Sequence, residues 1–291
     1  MNKETVLKYA ALFSICLFVF SVFQTAFSGK EKTVQTSFLN PSNRGQLSSI
    51  LISEGAEQIE FFMENGVWKG RTGTIVFPLI QTQVENLVLE LSKIRKTSQI
   101  SLKNKGQKEE CVLSYTLKDG KSTVIHFAGS DFSRVQRFFW TDSSQKVFRT
   151  ADSFSSFLTS DAGIWYDPYL VPRNLNLSEE NFRIQSAVLF ENGKQFSLKL
   201  SDSKDSKNAK EKIEKLEELR HGKLYAGNTE NLVKAARLSA VLDGGKIISV
   251  DIFTDPEDSD SSFVLHYNLD GYNYVSQISL WTLNTLRGLF Y

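Results

Sequence analysis

The sequence predicts an α+β fold: tandem duplicated units of largely antiparallel β-sheet, built from hairpins and packed with amphipathic helices, preceded by one N-terminal transmembrane helix. Three observations predict it. Apolar residues concentrate in an uncharged run at residues 9–27. Turn dipeptides suited to hairpins punctuate stretches of alternating polarity. One order of hairpins and helix occurs twice, at offsets of 127, 124 and 127 residues from Asn65 to Asn192, Asp119 to Asp243 and Ser143 to Asp270, as tandem repetition predicts. The expected division is residues 1–30 as membrane anchor or signal peptide, 31–173 as a first α+β repeat and 174–291 as a second.

The first element is the apolar run. It carries no charge, and Gln24 is its only strongly polar residue. Nineteen residues at about 1.5 Å rise give roughly 28 Å of helix, close to the hydrocarbon thickness of a bilayer. Lys3 and Lys8 precede it and Lys30 and Lys32 follow, so flanking charge is nearly balanced; a short basic tail before a first apolar helix favours an inside N-terminus. An uncleaved anchor is preferred, because the run exceeds the about 7–15 residues of a signal-peptide core. The alternatives are a cleaved signal peptide, with Ala26-Phe27-Ser28 as a small-x-small site, and a lipoprotein attached through Cys16. Under each, the chain sits at the cell membrane with its bulk extracytoplasmic (periplasmic). Past the anchor Cys111 is the only cysteine, so stability there rests on packed cores, which about 260 residues can supply.

The elements of the first repeat follow in order. Residues 58–64 alternate with Ile59, Phe61 and Met63 inward, reach Asn65-Gly66, and resume at Val67; Asn-Gly supplies the two positive-φ positions of a type I′ turn. Ile80, Val84, Leu87, Val88, Leu91 and Ile94 fall at helical spacing, with Pro78 expected near the first turn. Asp119-Gly120 and the tetrapeptide 141–144 each join two further strands, and Asp152 is a candidate cap for a short helix through Phe154, Phe157 and Leu158. In the second repeat Asn192-Gly193 makes a hairpin, Ile213, Leu216 and Leu219 mark a helix over 210–220, and Asp243-Gly244-Gly245 and Asp270-Gly271 make two more hairpins. Trp281, Leu283 and Leu286 lie on a closing helix.

Composition narrows the function classes. The 291 residues carry 34 Lys+Arg against 33 Asp+Glu, a net charge of +1, which argues against nucleic-acid binding. There are 22 Phe, five of them in the anchor, but only 3 His and 2 Cys, so carriers of metal and nucleophile chemistry are few. His126 and His266 sit in strand patterns and His221 ends a charged helix, where the macrodipole suits a cation. No pair has i, i+4 spacing, and neither H-E-x-x-H nor C-x-x-C occurs. There is no phosphate-binding G-x-x-x-x-G-K-[ST] and no G-x-S-x-G. Gly66, Gly70 and Gly73 read as turn glycines. S-x-x-K occurs at Ser143–Lys146 and Ser201–Lys204, both in expected turns and without the accompanying motifs. The acidic loop 255–260 lacks the Gly and distal Glu of an EF-hand. Glu211 and Lys215 pair at i, i+4 on an exposed helix. No catalytic residue, metal ligand or cofactor is expected.

Aromatic residues are the remaining excess. Phe138-Phe139-Trp140 cannot all face one side of a strand. Either both faces of that sheet are covered, the preferred reading, or an aromatic patch of Phe138, Phe139, Trp140, Trp165, Tyr166 and Tyr169 is exposed for a partner.

Trp68 after a hairpin, the apolar helix of Val84, Leu87, Leu91 and Ile94, and the strand Val124-Ile125-His126-Phe127-Ala128-Gly129 carry a family likeness. It continues through Arg137-Phe138-Phe139-Trp140, Val147-Phe148, Phe157-Leu158 and Trp165-Tyr166-Asp167-Pro168-Tyr169-Leu170. Over roughly residues 59–170 the chain resembles the bacterial domain of unknown function 4340 family. These are membrane-anchored extracytoplasmic proteins associated with ABC-type export systems of the gliding-motility kind. The resemblance implies location and company: a single N-terminal helix in the membrane, and ABC-type permease and ATPase subunits as partners. It implies no chemistry. The function expected is that of a non-enzymatic accessory or scaffold protein of a membrane complex. The alternative is a periplasmic ligand-binding or cell-wall-binding module that uses a groove between the two repeats.

Overall fold

The protein is described by a computed structural model covering residues 14, 33–100, 108–130, 135–173, 183–200, 206–225, 227, 229–255, 262–269 and 271–291. Among these residues no helix is long and apolar enough to cross a membrane. The expected anchor at 9–27 lies, apart from Ser14, outside the described residues. So do the stretch 201–204 and the acidic loop beyond Asp255.

The fold is mostly β rather than α+β: 52% of the described residues are strand and 23% helix, in two large antiparallel sheets. The first sheet has ten strands: β1 (Thr33–Thr36), β2 (Leu47–Glu54), β3 (Glu57–Glu64), β4 (Val67–Thr72), β5 (Ile75–Pro78), β6 (Arg95–Ile100), β7 (Glu109–Leu117), β8 (Ser122–Ser130), β9 (Gln136–Thr141) and β10 (Ser144–Ala151). Their spatial order is β1-β6-β10-β9-β8-β7-β2-β3-β4-β5. The second has six: β11 (Ile184–Glu191), β12 (Lys194–Lys199), β13 (Val233–Leu242), β14 (Ile247–Thr254), β15 (Ser262–Asn268) and β16 (Val275–Ser279), ordered β12-β11-β13-β14-β15-β16. Among the described residues four α-helices accompany them: α1 (Gln81–Ser92), α2 (Ala162–Trp165), α3 (Ser206–Glu218) and α4 (Leu280–Phe290).

The two sheets differ in size, ten strands against six. The six-strand order of the second sheet does recur within the first, as β3-β2-β7-β8-β9-β10, while β1, β4, β5 and β6 have no counterpart. The hairpin that occupies the place of β11–β12 is therefore β2–β3, turning at Gly55-Ala56, and not the Asn65-Gly66 hairpin that the offsets paired with it.

The hairpin turns form where their dipeptides sit. Asn65 and Asn192 have φ of 53° and 51°, and Gly66 and Gly193 of 82° and 73°, the two successive left-handed residues of a type I′ turn. Alternation then buries one face. In the first sheet Ile50, Ile52, Ile59, Phe61, Leu113, Ile125 and Phe127 are at most 1% exposed; in the second Ala187, Leu189, Leu238, Ile248, Val250, Ile252 and Leu265 are likewise sealed. Helices cover these inner faces through Val84, Leu87 and Leu91 of α1, Ile213 and Leu216 of α3, and Leu283 and Leu286 of α4.

Three local expectations change. Pro78 ends β5 instead of opening α1, because Phe77 must lie against Gly70 across the β4–β5 pair. α1 stops at Ser92 with Lys93 extended, which leaves Ile94 69% exposed instead of inward. Asp152 caps no helix: its carboxylate accepts from Ser130 Oγ (2.7 Å), Ser155 Oγ (2.6 Å) and Arg137, and only a 3-10 turn, Ser155–Phe157, follows.

Candidate functional site

The cavity that best combines shape and chemistry is on the inner face of the first sheet, where α1 no longer covers it. Five neighbouring strands turn alternating residues toward it: Val34 and Thr36 from β1, Thr97 and Gln99 from β6, Ser144, Lys146 and Phe148 from β10, Phe139 and Thr141 from β9, Thr123 and Ile125 from β8. Its volume is about 380 Å³, within the roughly 300–1,000 Å³ of small-molecule sites.

The floor of this groove is the margin of the core. Phe38, in the segment after β1, meets Phe127, Phe139 and Phe154 edge-on at 5.6, 4.8 and 5.1 Å between ring centroids. Phe139 stacks on Phe148 at 5.5 Å. Arg95 lies over the Phe154 ring at 4.2 Å and is held by the Glu90 carboxylate at 2.7 Å, which closes the inner end of the aromatic group. The rim is hydroxyl and amide. Thr97 Oγ1 donates to the Val34 carbonyl (3.1 Å), binding β1 to β6, and Ser144 Oγ accepts the Lys146 backbone N–H (3.2 Å). Lys146 is the one charged residue in the lining, and its ammonium has no ion pair among the described residues.

Two wider cavities are less suited to bind. One of about 700 Å³ has an apolar wall of Leu47, Met63, Trp68, Val88 and Leu89, but its cations are engaged, Arg44 with Ser92 Oγ and Lys118 with the Gly45 carbonyl. One of about 570 Å³ near Phe190 holds Lys194, Lys234 and Arg237, of which the last two share the Asp251 carboxylate at 2.7 and 2.6 Å.

The residues singled out as a partner patch do not form one exposed surface. Phe138, Phe139, Trp165 and Tyr166 are buried at 9, 4, 0 and 2% exposure. Trp140 is half-buried on the outer face of β9, parallel to the His126 ring at 5.3 Å. Tyr169 is held between Arg173 and Arg220. Both faces of the sheet at Phe138-Phe139 are covered, so the trio is packing.

Where the two parts of the chain meet, the described residues pack against one another. Tyr166 Oη lies 2.8 Å from His221 Nε2, Tyr267 stacks on Tyr274 at 4.4 Å, and Tyr267 Oη donates to the Leu170 carbonyl (3.1 Å). Burial lowers the His221 pKa to about 4, so this imidazole is neutral and the expected cation on a helix dipole does not arise. The Cys111 thiol is also buried; desolvation first, then the charges of Glu54 and neighbouring carboxylates, push it up to about 12. No group of metal-ligating side chains converges among the described residues.

The third histidine is engaged at the surface. His126 donates from Nδ1 to Glu109 Oε2 (2.5 Å) and from Nε2 to Asp142 Oδ1 (2.7 Å). Partial burial opposes its charged form, but the hydrogen bonds to Asp142 and Glu109 outweigh it and raise the pKa. This links β7, β8 and the β9–β10 turn.

No family model, no curated protein and no solved structure matches this chain. The groove itself went unread in the sequence because β1 and β6 show no apolar alternation. The signal that could have found it is the pairing of an apolar with a hydroxyl residue two positions away in Val34/Thr36, Thr123/Ile125 and Phe139/Thr141.

Proposed function

We propose that the chain is a membrane-anchored extracytoplasmic accessory protein that binds rather than catalyses, serving a membrane complex of the ABC-type transport kind. The observation that supports this reading best is the groove on β1, β6, β10, β9 and β8. Its first wall, β1, begins at Thr33, six residues after Phe27 at the end of the apolar run. Six residues reach at most about 20 Å, so an anchor at 9–27 holds the groove close to the bilayer surface. Rigid strands carry its lining, which suits a binding site better than loops do. The ligand-binding alternative thus moves from a junction between units to the interior of the first sheet, and merges with the accessory role.

The test is purification of the tagged full chain from its native membranes. Recovery with a permease and an ATPase is expected. Recovery of the chain without either sinks the accessory role.

A further inference from the structure

We infer that the groove on the first sheet takes a free single-chain amphiphile with an anionic head, of the long-chain carboxylate type. The inference rests on the binding reading above and names its ligand. Three features of the lining select this chemistry.

Five of the thirteen lining residues, Val34, Phe38, Ile125, Phe139 and Phe148, present no polar side-chain atom and form an apolar strip, of which Val34, Phe38 and Phe148 are the part that is not buried. Against that strip a peptide or a sugar would leave its own donors and acceptors unpaired, which an acyl chain does not. The groove crosses five adjacent strands from β1 to β8; at about 4.8 Å per spacing these span roughly 19 Å. That is the proportion of one extended chain, and about 380 Å³ is small for a lipid with two.

Polar groups flank the strip on both sides, with Thr36, Ser37, Thr97 and Gln99 on the β1–β6 side. Register places Thr141 opposite both Ser144 and Ile125, so Thr123, Thr141, Ser144 and Lys146 gather at the end of the groove formed by the β9–β10 turn. Lys146 supplies one positive charge, and neither its ammonium nor the Thr123 hydroxyl has a partner among the described residues. One unpaired ammonium beside donor hydroxyls matches one carboxylate. With residues 9–27 as the proposed anchor, β1 follows close after it, and the groove would stand where such molecules leave or enter a bilayer.

The experiment uses the full chain in lipid nanodiscs and a palmitic acid bearing a photoreactive diazirine in its chain, with crosslinks mapped by mass spectrometry. Labelling of the proposed anchor, residues 9–27, by bilayer-dissolved probe serves as the internal reference. Crosslinks are expected on the peptides containing Phe139, Phe148 and Val34, suppressed by excess unlabelled palmitate. Lys146→Glu should lower groove labelling relative to the reference by roughly tenfold or more, whereas labelling by the matching diazirine alcohol should not change. Thr141→Trp, which fills the rim, should abolish both.

Labelling confined to residues 9–27, or groove labelling that neither unlabelled palmitate nor Lys146→Glu reduces, overturns the inference. Lys146 is exposed and outside the core, so its variant decides the matter even if Thr141→Trp does not fold. The readout needs no partner subunit. A failure here therefore leaves the accessory role to the copurification, and a failure there leaves the ligand untouched.

Discussion

Two histidines, His126 and His221, respond to pH with opposite signs, and the geometry says why. Both ring nitrogens of His126 face carboxylates. A neutral imidazole has one N–H, so only the imidazolium satisfies both contacts. Its folded-state pKa is raised, so its stabilisation is complete below the unfolded value of about 6.5 and is lost as pH rises through the folded value. His221 is the reverse. Burial holds it neutral down to about 4, so its stabilisation is present above about 6.5 and is lost as pH falls toward the folded value. NMR titration should show one imidazole that titrates above 6.5 and one that stays neutral until near 4. Asp142→Asn should bring the first back toward 6.5. His221→Phe should flatten the loss of stability between pH 6.5 and 4 by up to about 3 kcal/mol; an unchanged slope counts against the buried imidazole as its source. At Phe139 the same scale separates packing from recognition. Its ring meets Phe38, Phe127 and Phe148, so Phe139→Ser should cost about 3–5 kcal/mol in denaturant unfolding. A variant as stable as the parent contradicts the packing described here.

Elements were legible where their cause is local. Asn65-Gly66 and Asn192-Gly193 turn because Asn and Gly tolerate positive φ, and α1 forms because Val84, Leu87, Val88 and Leu91 make one apolar stripe. β1 and β6 were not legible. Thr-Val-Gln-Thr and Arg-Lys-Thr-Ser-Gln-Ile contain one terminal or isolated apolar residue each; β6 is a strand because β10 offers it an edge, and β1 because β6 then offers the next. Pro78 shows the same override: its likeness to a helix N1 proline yields to the register that sets Phe77 opposite Gly70. Gly70 itself reads as a turn residue in sequence, yet it lies in β4, and an added Cβ would meet the Phe77 ring at 2.5 Å. Gly70→Ala should therefore destabilise by about 1–3 kcal/mol through overpacking. A thermal midpoint at or above that of the parent would remove the close approach as the reason for glycine there.

At the scale of the molecule, the two sheets are joined along their edges as well as through their cores. Asn273, just before β16, lies beside β5: its Oδ1 accepts the Val76 N–H (2.5 Å), its own N–H reaches the Val76 carbonyl (3.0 Å), and Nδ2 donates to the Thr74 carbonyl (2.7 Å). The segment from Trp165 to Leu170 continues the seam, bonding Pro78 and Ile80 on one side and Leu219 and His221 on the other. Lys69, buried in β4, reaches the Gly271 carbonyl at 3.2 Å and the Tyr272 ring at 4.3 Å. Sequence periodicity reports one element at a time and carries none of this, which is why a repeated element order suggested two separate units with a groove between them. Edge bonds of this kind make unfolding of one sheet expose the other. Urea unfolding followed by tryptophan emission, dominated by Trp68, Trp140 and Trp165 of the first part, should coincide with the far-UV dichroism of the whole chain. Asn273→Ala removes two side-chain hydrogen bonds at about 1 kcal/mol each, so it should lower both midpoints together by an equivalent of about 2 kcal/mol. Separate transitions in the parent, or a shift in only one signal, would show that each sheet stands alone and that the seam is a contact of convenience.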